Sequence, residues 1–255
     1  VQFDASILPP KLHFLRIWDG KHEWPAASEM QGGVEWISLR EGANRSQASG
    51  VTGDLVGMAA SENDLLKKEE YLLEARFLSQ DLNMPDKGGA LLNLLHSMPS
   101  WKGARNLKTR EYQAEMAMKE EYGQAFFKND LTWWKGEIQD LQQHSKNLPP
   151  AMQDRLLGFF SLAGYSLSTR SLQENEEPMA EKMLEIYRLS DPTNPEQAYL
   201  RAVLSGRRQQ ADPAMSSLTE SLTLGFSDKS RIQQQPEFQF LQASPAFQKL
   251  LQSMK

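Results

Sequence analysis

The sequence predicts an all-α protein, a right-handed α-solenoid of helical hairpins with an irregular N-terminal segment, and three observations lead there. Ala180, Leu184 and Tyr187 are followed 34 residues later by Ala214, Leu218 and Ser221, at the same places in a helical phrase. Apolar residues recur with helical spacing through most of the chain after Ser61. Proline, glycine, asparagine and aspartate break that spacing at the intervals expected of stacked two-helix units.

The first 60 residues stand apart. Pro9-Pro10, Pro25, Gly32-Gly33, Gly42, Gly50, Gly53 and Gly57 interrupt every long helix, so irregular structure with one or two short helices is expected over 1–60. Val34 to Leu39 has the composition of a strand, but an isolated strand is not stable. Three of the six tryptophans, Trp18, Trp24 and Trp36, lie in this quarter with Phe14, which argues for a segment packed against the helical array.

Residues 61–145 read as degenerate helical hairpins. Ser61 and Asp64 carry the signals of a helix start, and Leu65, Leu66, Leu72, Leu73, Phe77 and Leu78 form an apolar face to about Leu82. Asn83 to Asp86 break the pattern, and Gly89 to Met98 supply a short helix. Pro99 and Gly103 break it again, so the next long helix is expected over Lys108 to Lys128. Asp130 caps another, which runs through Trp133, Trp134, Ile138 and Leu141 to about His144.

Residues 146–255 give two tandem hairpins, with helices over Ala151 to Leu172, Pro178 to Leu189, Pro195 to Gly206 and Asp212 to Leu224. Asn194-Pro195 and Asp212-Pro213 place proline after a capping residue, and Gly225 stops the fourth helix. Ala198-Tyr199, Ala202, Gly206, Ala214, Leu218 and Leu224-Gly225-Phe226 resemble a tetratricopeptide repeat, with Asp191-Pro192 and Asn194 as its closing turn. Pro236-Glu237-Phe238, Ser244 to Phe247 and Leu250-Leu251 are similar to the terminal capping module of bacterial arrays of this family. The resemblance covers about residues 150–255. Ser221 departs from it where alanine is usual, Gln235 where an acid is usual, and the first long helix exceeds the family pattern. It implies a solenoid that binds a partner segment in the groove lined by the first helices of successive hairpins.

Composition sets the outer limits. A 255-residue chain that is 40% hydrophobic builds a real core. Its net charge of −5, with no long single-sign run, argues against a nucleic-acid binder. With no cysteine, disulfides and thiolate metal sites are excluded. No apolar run approaches the roughly 20 residues of a membrane span. The Val1 start and the lack of cysteine set the expectation of an exported bacterial protein, periplasmic or outer-membrane-associated, with a signal or lipid anchor removed upstream; a cytoplasmic protein is the alternative.

No catalytic constellation stands out. His13, His22, His96 and His144 fit no metal-ligand spacing, and the last two suit helix ends. No GxSxG elbow occurs, and Gly32-Gly33 and Lys87-Gly88-Gly89 lack the frame of a phosphate loop. Glu69-Glu70 and Glu120-Glu121 read as solvated faces. No enzyme activity, cofactor or metal is expected.

The aromatic set Tyr112, Tyr122, Phe126, Phe127, Trp133 and Trp134 is the most suggestive feature. Trp133 and Trp134 cannot point the same way, so one belongs to the core and the other is free to line a concave face. Tyr122, Phe126, Trp133 and Trp134, with Tyr199 and Arg201, are the candidate partner-binding residues, Arg207 and Arg208 extending the basic edge. The expected function is a non-catalytic scaffold that binds a protein or peptide segment. A glycan-binding accessory protein of an envelope uptake system, or the regulatory helical part of a longer enzyme, are the alternatives.

Overall fold

The computed structural model describes residues 45–254, with the side chains of 47–254, and every regular element among them is helical. The strand-like stretch Val34 to Leu39 and the expected aromatic contacts of Phe14, Trp18, Trp24 and Trp36 lie outside the described residues. The chain divides into two compact units between Ala114 and Glu115. That division falls inside a helix.

The first unit contains α1 (Arg45–Ser61), α2 (Leu65–Asp81), α3 (Gly89–Ser97) and the start of α4 (Pro99–Lys128). Helix α1 corrects the expectation of irregular structure up to residue 60. Its Ala48, Thr52, Leu55 and Ala59 bury one helical face, and a side chain at Gly50 or Gly57 would meet nothing within 4 Å. Packing against α2 therefore holds this helix despite the poor propensity of glycine. The Thr52 hydroxyl, buried in that face, donates to the Ala48 carbonyl at 2.7 Å.

Asp64, not Ser61, caps α2, accepting from the Leu66 and Lys67 amides. Ser61 closes α1 by donating to the Met58 carbonyl at 3.0 Å. Helix α4 starts at Pro99 and runs unbroken through Gly103, where a break was expected before a helix over Lys108 to Lys128. Proline lacks only an amide that the first turn leaves unused, and one glycine costs about 1 kcal/mol, which thirty residues absorb.

The second unit contains the end of α4, then α5 (Leu131–Gln142), α6 (Pro150–Gln173), α7 (Glu177–Ser190), α8 (Pro195–Arg207) and α9 (Ala211–Thr223). Helix α10 (Lys229–Gln234), a 3-10 turn (Pro236–Leu241) and α11 (Pro245–Ser253) follow. Helices α6 and α7 form one antiparallel hairpin and α8 and α9 a second; Asn194 caps α8 as expected, whereas α9 starts at Ala211 after Gln210, so Asp212 lies in its first turn and does not cap it.

Helix α7 is buried on two sides. Met183 and Ile186 join Trp134, Leu156 and Phe160 in one core, while Ala180, Leu184 and Tyr187 join Tyr199, Ala202 and Leu218 in the other. All six residues of the 34-residue recurrence are buried. Ser221, where the resemblance expects alanine, satisfies its hydroxyl on the Leu218 carbonyl at 2.8 Å.

Five helices end alike. Asn83, His144, Asn175, Gln209 and Gly225 all take positive φ just past α2, α5, α6, α8 and α9. In each case the next amide reaches back to the carbonyl five residues before it, as Met84 does to Ser79 at 2.7 Å and Phe226 to Ser221 at 2.9 Å. These turns make tight hairpins possible.

Close helix approach rests on glycine at two places. A Cβ on Gly164 would lie 2.8 Å from the Tyr187 Cβ, and one on Gly206 would lie 2.6 Å from the Glu237 carbonyl oxygen. Gly206→Ala is expected to cost about 1–3 kcal/mol in urea denaturation. Gly123→Ala, where nothing lies within 4 Å of the new carbon, is expected to be neutral or to stabilise by up to about 1 kcal/mol. Equal behaviour of the two variants would contradict the packing described for Gly206.

Candidate functional site

The structure separates the expected binding residues into buried and accessible ones. Trp134 is 0% exposed and stacks on Phe126, ring centroids 4.6 Å apart and 16° from parallel, with Phe160 edge-on at 5.0 Å. Tyr122 lies edge-on to Phe160 at 4.7 Å and donates its hydroxyl to Glu137, whose carboxylate also meets Lys146 at 2.7 Å. Burial, then the Glu137 hydrogen bond, pushes the Tyr122 phenol well above its ordinary range. Tyr122, Phe126 and Trp134 therefore belong to the core and do not line a groove. Trp134, Ile138 and Leu141 fall at helical i, i+4 and i+7, so the spacing itself marks the inward face of α5.

Trp133 and Phe127 point outward, 41% and 60% exposed. They flank the turn at Asn129-Asp130, where the Asp130 carboxylate accepts from the Trp133 amide at 2.9 Å. Lys182 ties down the other side by donating to the Phe126 carbonyl at 2.8 Å. Behind the Trp133 indole stand Trp134, perpendicular at 5.1 Å, and Tyr122 at 6.4 Å. An exposed aromatic ring braced by buried aromatics loses little conformational freedom when a partner covers it. Phe127 was read only as part of the aromatic set, and its exposure adds it to the candidate surface.

Tyr199 and Arg201 serve the fold. Tyr199 stacks on Phe226 at 4.6 Å, meets Phe238 edge-on, and donates its hydroxyl to Gln235 at 2.7 Å. Gln235 thus replaces the acid that the resemblance expects with a neutral acceptor. The Arg231 guanidinium lies 4.2 Å from the Tyr199 ring and pairs with Glu196 at 2.6 Å. Burial pushes the Tyr199 phenol up to about 12, with Arg231 opposing the shift.

Arg201 reaches Gln197 at 3.2 Å and Glu220 at 2.7 Å, joining α8 to α9. Arg207 pairs with Glu237 at 2.9 Å, and Arg208 with Glu177 and Glu181, each at 2.9 Å. The expected basic edge is spent on contacts within the chain.

Two buried carboxylates escaped the sequence reading. Glu115 on α4 takes two bonds from Arg155 on α6, at 2.9 and 2.8 Å, and one from Lys119 at 2.6 Å. Burial by itself raises this carboxyl, but the hydrogen bonds and charges of Arg155 and Lys119 outweigh it and hold it below the usual carboxylate range. In the first unit Glu69, expected on a solvated face, is buried. It meets His96 Nε2 at 2.8 Å and accepts from Trp101 Nε1 at 3.1 Å, and the two rings lie 4.2 Å apart. His96 thus joins α3 to α2 by a polar contact.

Among the described residues no three His, Cys, Asp or Glu side chains are grouped to hold a metal ion, and no helix is long and apolar enough to cross a membrane. Set against protein-family models, curated proteins and solved structures, the chain has no match.

Proposed function

We propose that the chain is a non-catalytic scaffold of tetratricopeptide-like hairpins that binds a protein or peptide segment. The observation that carries this reading is the exposure of Trp133 and Phe127 over a core of stacked aromatics. Trp133 supplies a wide apolar face, and Phe127 adds a second anchor six positions before it in the chain. Large aromatic anchors dominate binding energy where they are fully covered by a partner. Lys135 and Glu185, 3.8 Å apart, supply a charge pair on α5 and α7 for the polar rim of such an interface.

The test is capture of a partner from an extract of the source cells by the full chain, with the double variant Phe127→Ala, Trp133→Ala beside it. Both side chains are exposed, so the variant is expected to keep its circular dichroism and melting temperature. Binding of the captured partner is expected to weaken about 30-fold or more, the equivalent of about 2 kcal/mol for an anchor. A partner retained at full strength by the variant would contradict this surface.

The exposed Trp133 indole also supports a second reading, stacking on the flat face of a sugar. Titration with oligosaccharides that shifts tryptophan fluorescence in the wild type and not in Trp133→Phe would favour it.

A further inference from the structure

Over residues 88–110 the chain has no acidic side chain and four basic ones, Lys102, Arg105, Lys108 and Arg110, although the whole protein carries −5. The same stretch exposes apolar side chains. Leu92 and Leu95 of α3 pack on Ala59 and Leu72, which turns Leu91 and Leu94 outward, and Met98 continues their row at i, i+3 and i+7. Leu94 is 63% exposed, more than any other large apolar side chain among the described residues.

Met98 joins the row to the charges. It precedes Pro99 at the start of α4, and its carbonyl accepts from the Lys102 amide at 3.2 Å, so Lys102 stands one helical turn further on. Lys102, Arg105 and Arg110 are exposed, and the nearest carboxylate to Arg105, that of Glu69, is 3.9 Å away. Leu107, also exposed, sits between the charges. Protruding leucines beside exposed cations match the chemistry of a bilayer interface. There apolar side chains enter the acyl boundary while lysine and arginine meet phosphate.

We propose that this face of the first unit docks on an anionic phospholipid surface. An acidic protein fits less well. Its apolar anchors would need a depression to enter, and the row Leu91, Leu94 and Met98 projects from one side of a short helix. Nucleic acid would use the cations but leave the leucines uncovered. The residues of this face belong to the first unit and Trp133 to the second.

The experiment is sedimentation of the full chain with vesicles of phosphatidylcholine alone and of phosphatidylcholine with roughly one-third phosphatidylserine. Binding is expected with the anionic vesicles only, falling as salt rises. Lys102→Glu, Arg110→Glu is expected to reduce it by about 30-fold or more, at roughly fivefold per exposed charge lost near the surface. Leu94→Gln is expected to reduce it several-fold while the melting temperature stays unchanged.

Failure to sediment with either vesicle would overturn the proposal. So would full binding by Leu94→Gln together with equally strong binding of polyglutamate or duplex DNA, which would show that charge alone acts there. A melting temperature lowered by Leu94→Gln with no change in vesicle binding would also overturn it, placing the row against other parts of the chain.

Discussion

Trp134→Ala is expected to lower stability by about 3–5 kcal/mol. The side chain is fully buried among Phe126, Phe160, Tyr122 and Trp133, so truncation leaves a cavity that stacked rings on two helices cannot close. Trp134→Phe behaves differently. The indole N–H has no hydrogen-bond acceptor, and removing an unsatisfied buried donor offsets part of the volume lost. The net cost of phenylalanine is expected to be within about 1 kcal/mol of zero. Urea denaturation of the two variants checks both values. If phenylalanine costs as much as alanine, the N–H has a partner that the structure does not hold.

The second large effect is at Glu115. Replacing Arg155 by methionine leaves a buried carboxylate with only Lys119 to face it, and is expected to cost about 3–5 kcal/mol near neutral pH. Glu115→Gln keeps the shape and loses the charge, and is expected to cost less than Arg155→Met. The sign of the pH dependence follows from the depressed carboxyl. Its contribution is fully present above the ordinary carboxylate range and is lost as pH falls through the lower folded value. Glu185 and Glu237 are depressed as well, held by Arg188 and by Arg207 respectively, and add to the same acid-side loss. Thermal melts between pH 7 and pH 3 should show the Glu115→Gln protein losing less on acidification than the wild type. Parallel curves would contradict the role given to this site.

Helices were legible where turn chemistry agreed with apolar spacing. Asn194 before Pro195 and Asp130 before Leu131 start helices as expected, because a side-chain acceptor for a free amide is a local property. Helix ends were less legible. Of the five positive-φ residues, Gly225, Asn83 and His144 were expected at helix ends and Asn175 and Gln209 were not, since glutamine enters that region only when a tight hairpin enforces it. Helix α1 was hidden by its glycines, because what holds it is packing against α2 and not the propensity of its own residues.

The candidate surface was half legible. That Trp133 and Trp134 diverge follows from their adjacency, and the i, i+4, i+7 run from Trp134 says which turns inward. That Tyr122, Phe126 and Tyr199 are covered does not follow from periodicity, because a second layer of helices can bury a face that a single layer leaves open. Glu115 with Arg155 is a contact across 40 residues, and no local pattern reports it.

The most direct measurement is photo-crosslinking in the source cell, with a photoreactive phenylalanine placed at position 133 in one protein and at position 240 in another. Phe240 is exposed to much the same degree as Trp133 but belongs to the C-terminal 3-10 turn. The expected result is a discrete adduct with one partner from position 133 and none from position 240. Adducts from position 240 alone, or the same adduct from both, would contradict the assignment of the Trp133 and Phe127 face as the surface this scaffold uses.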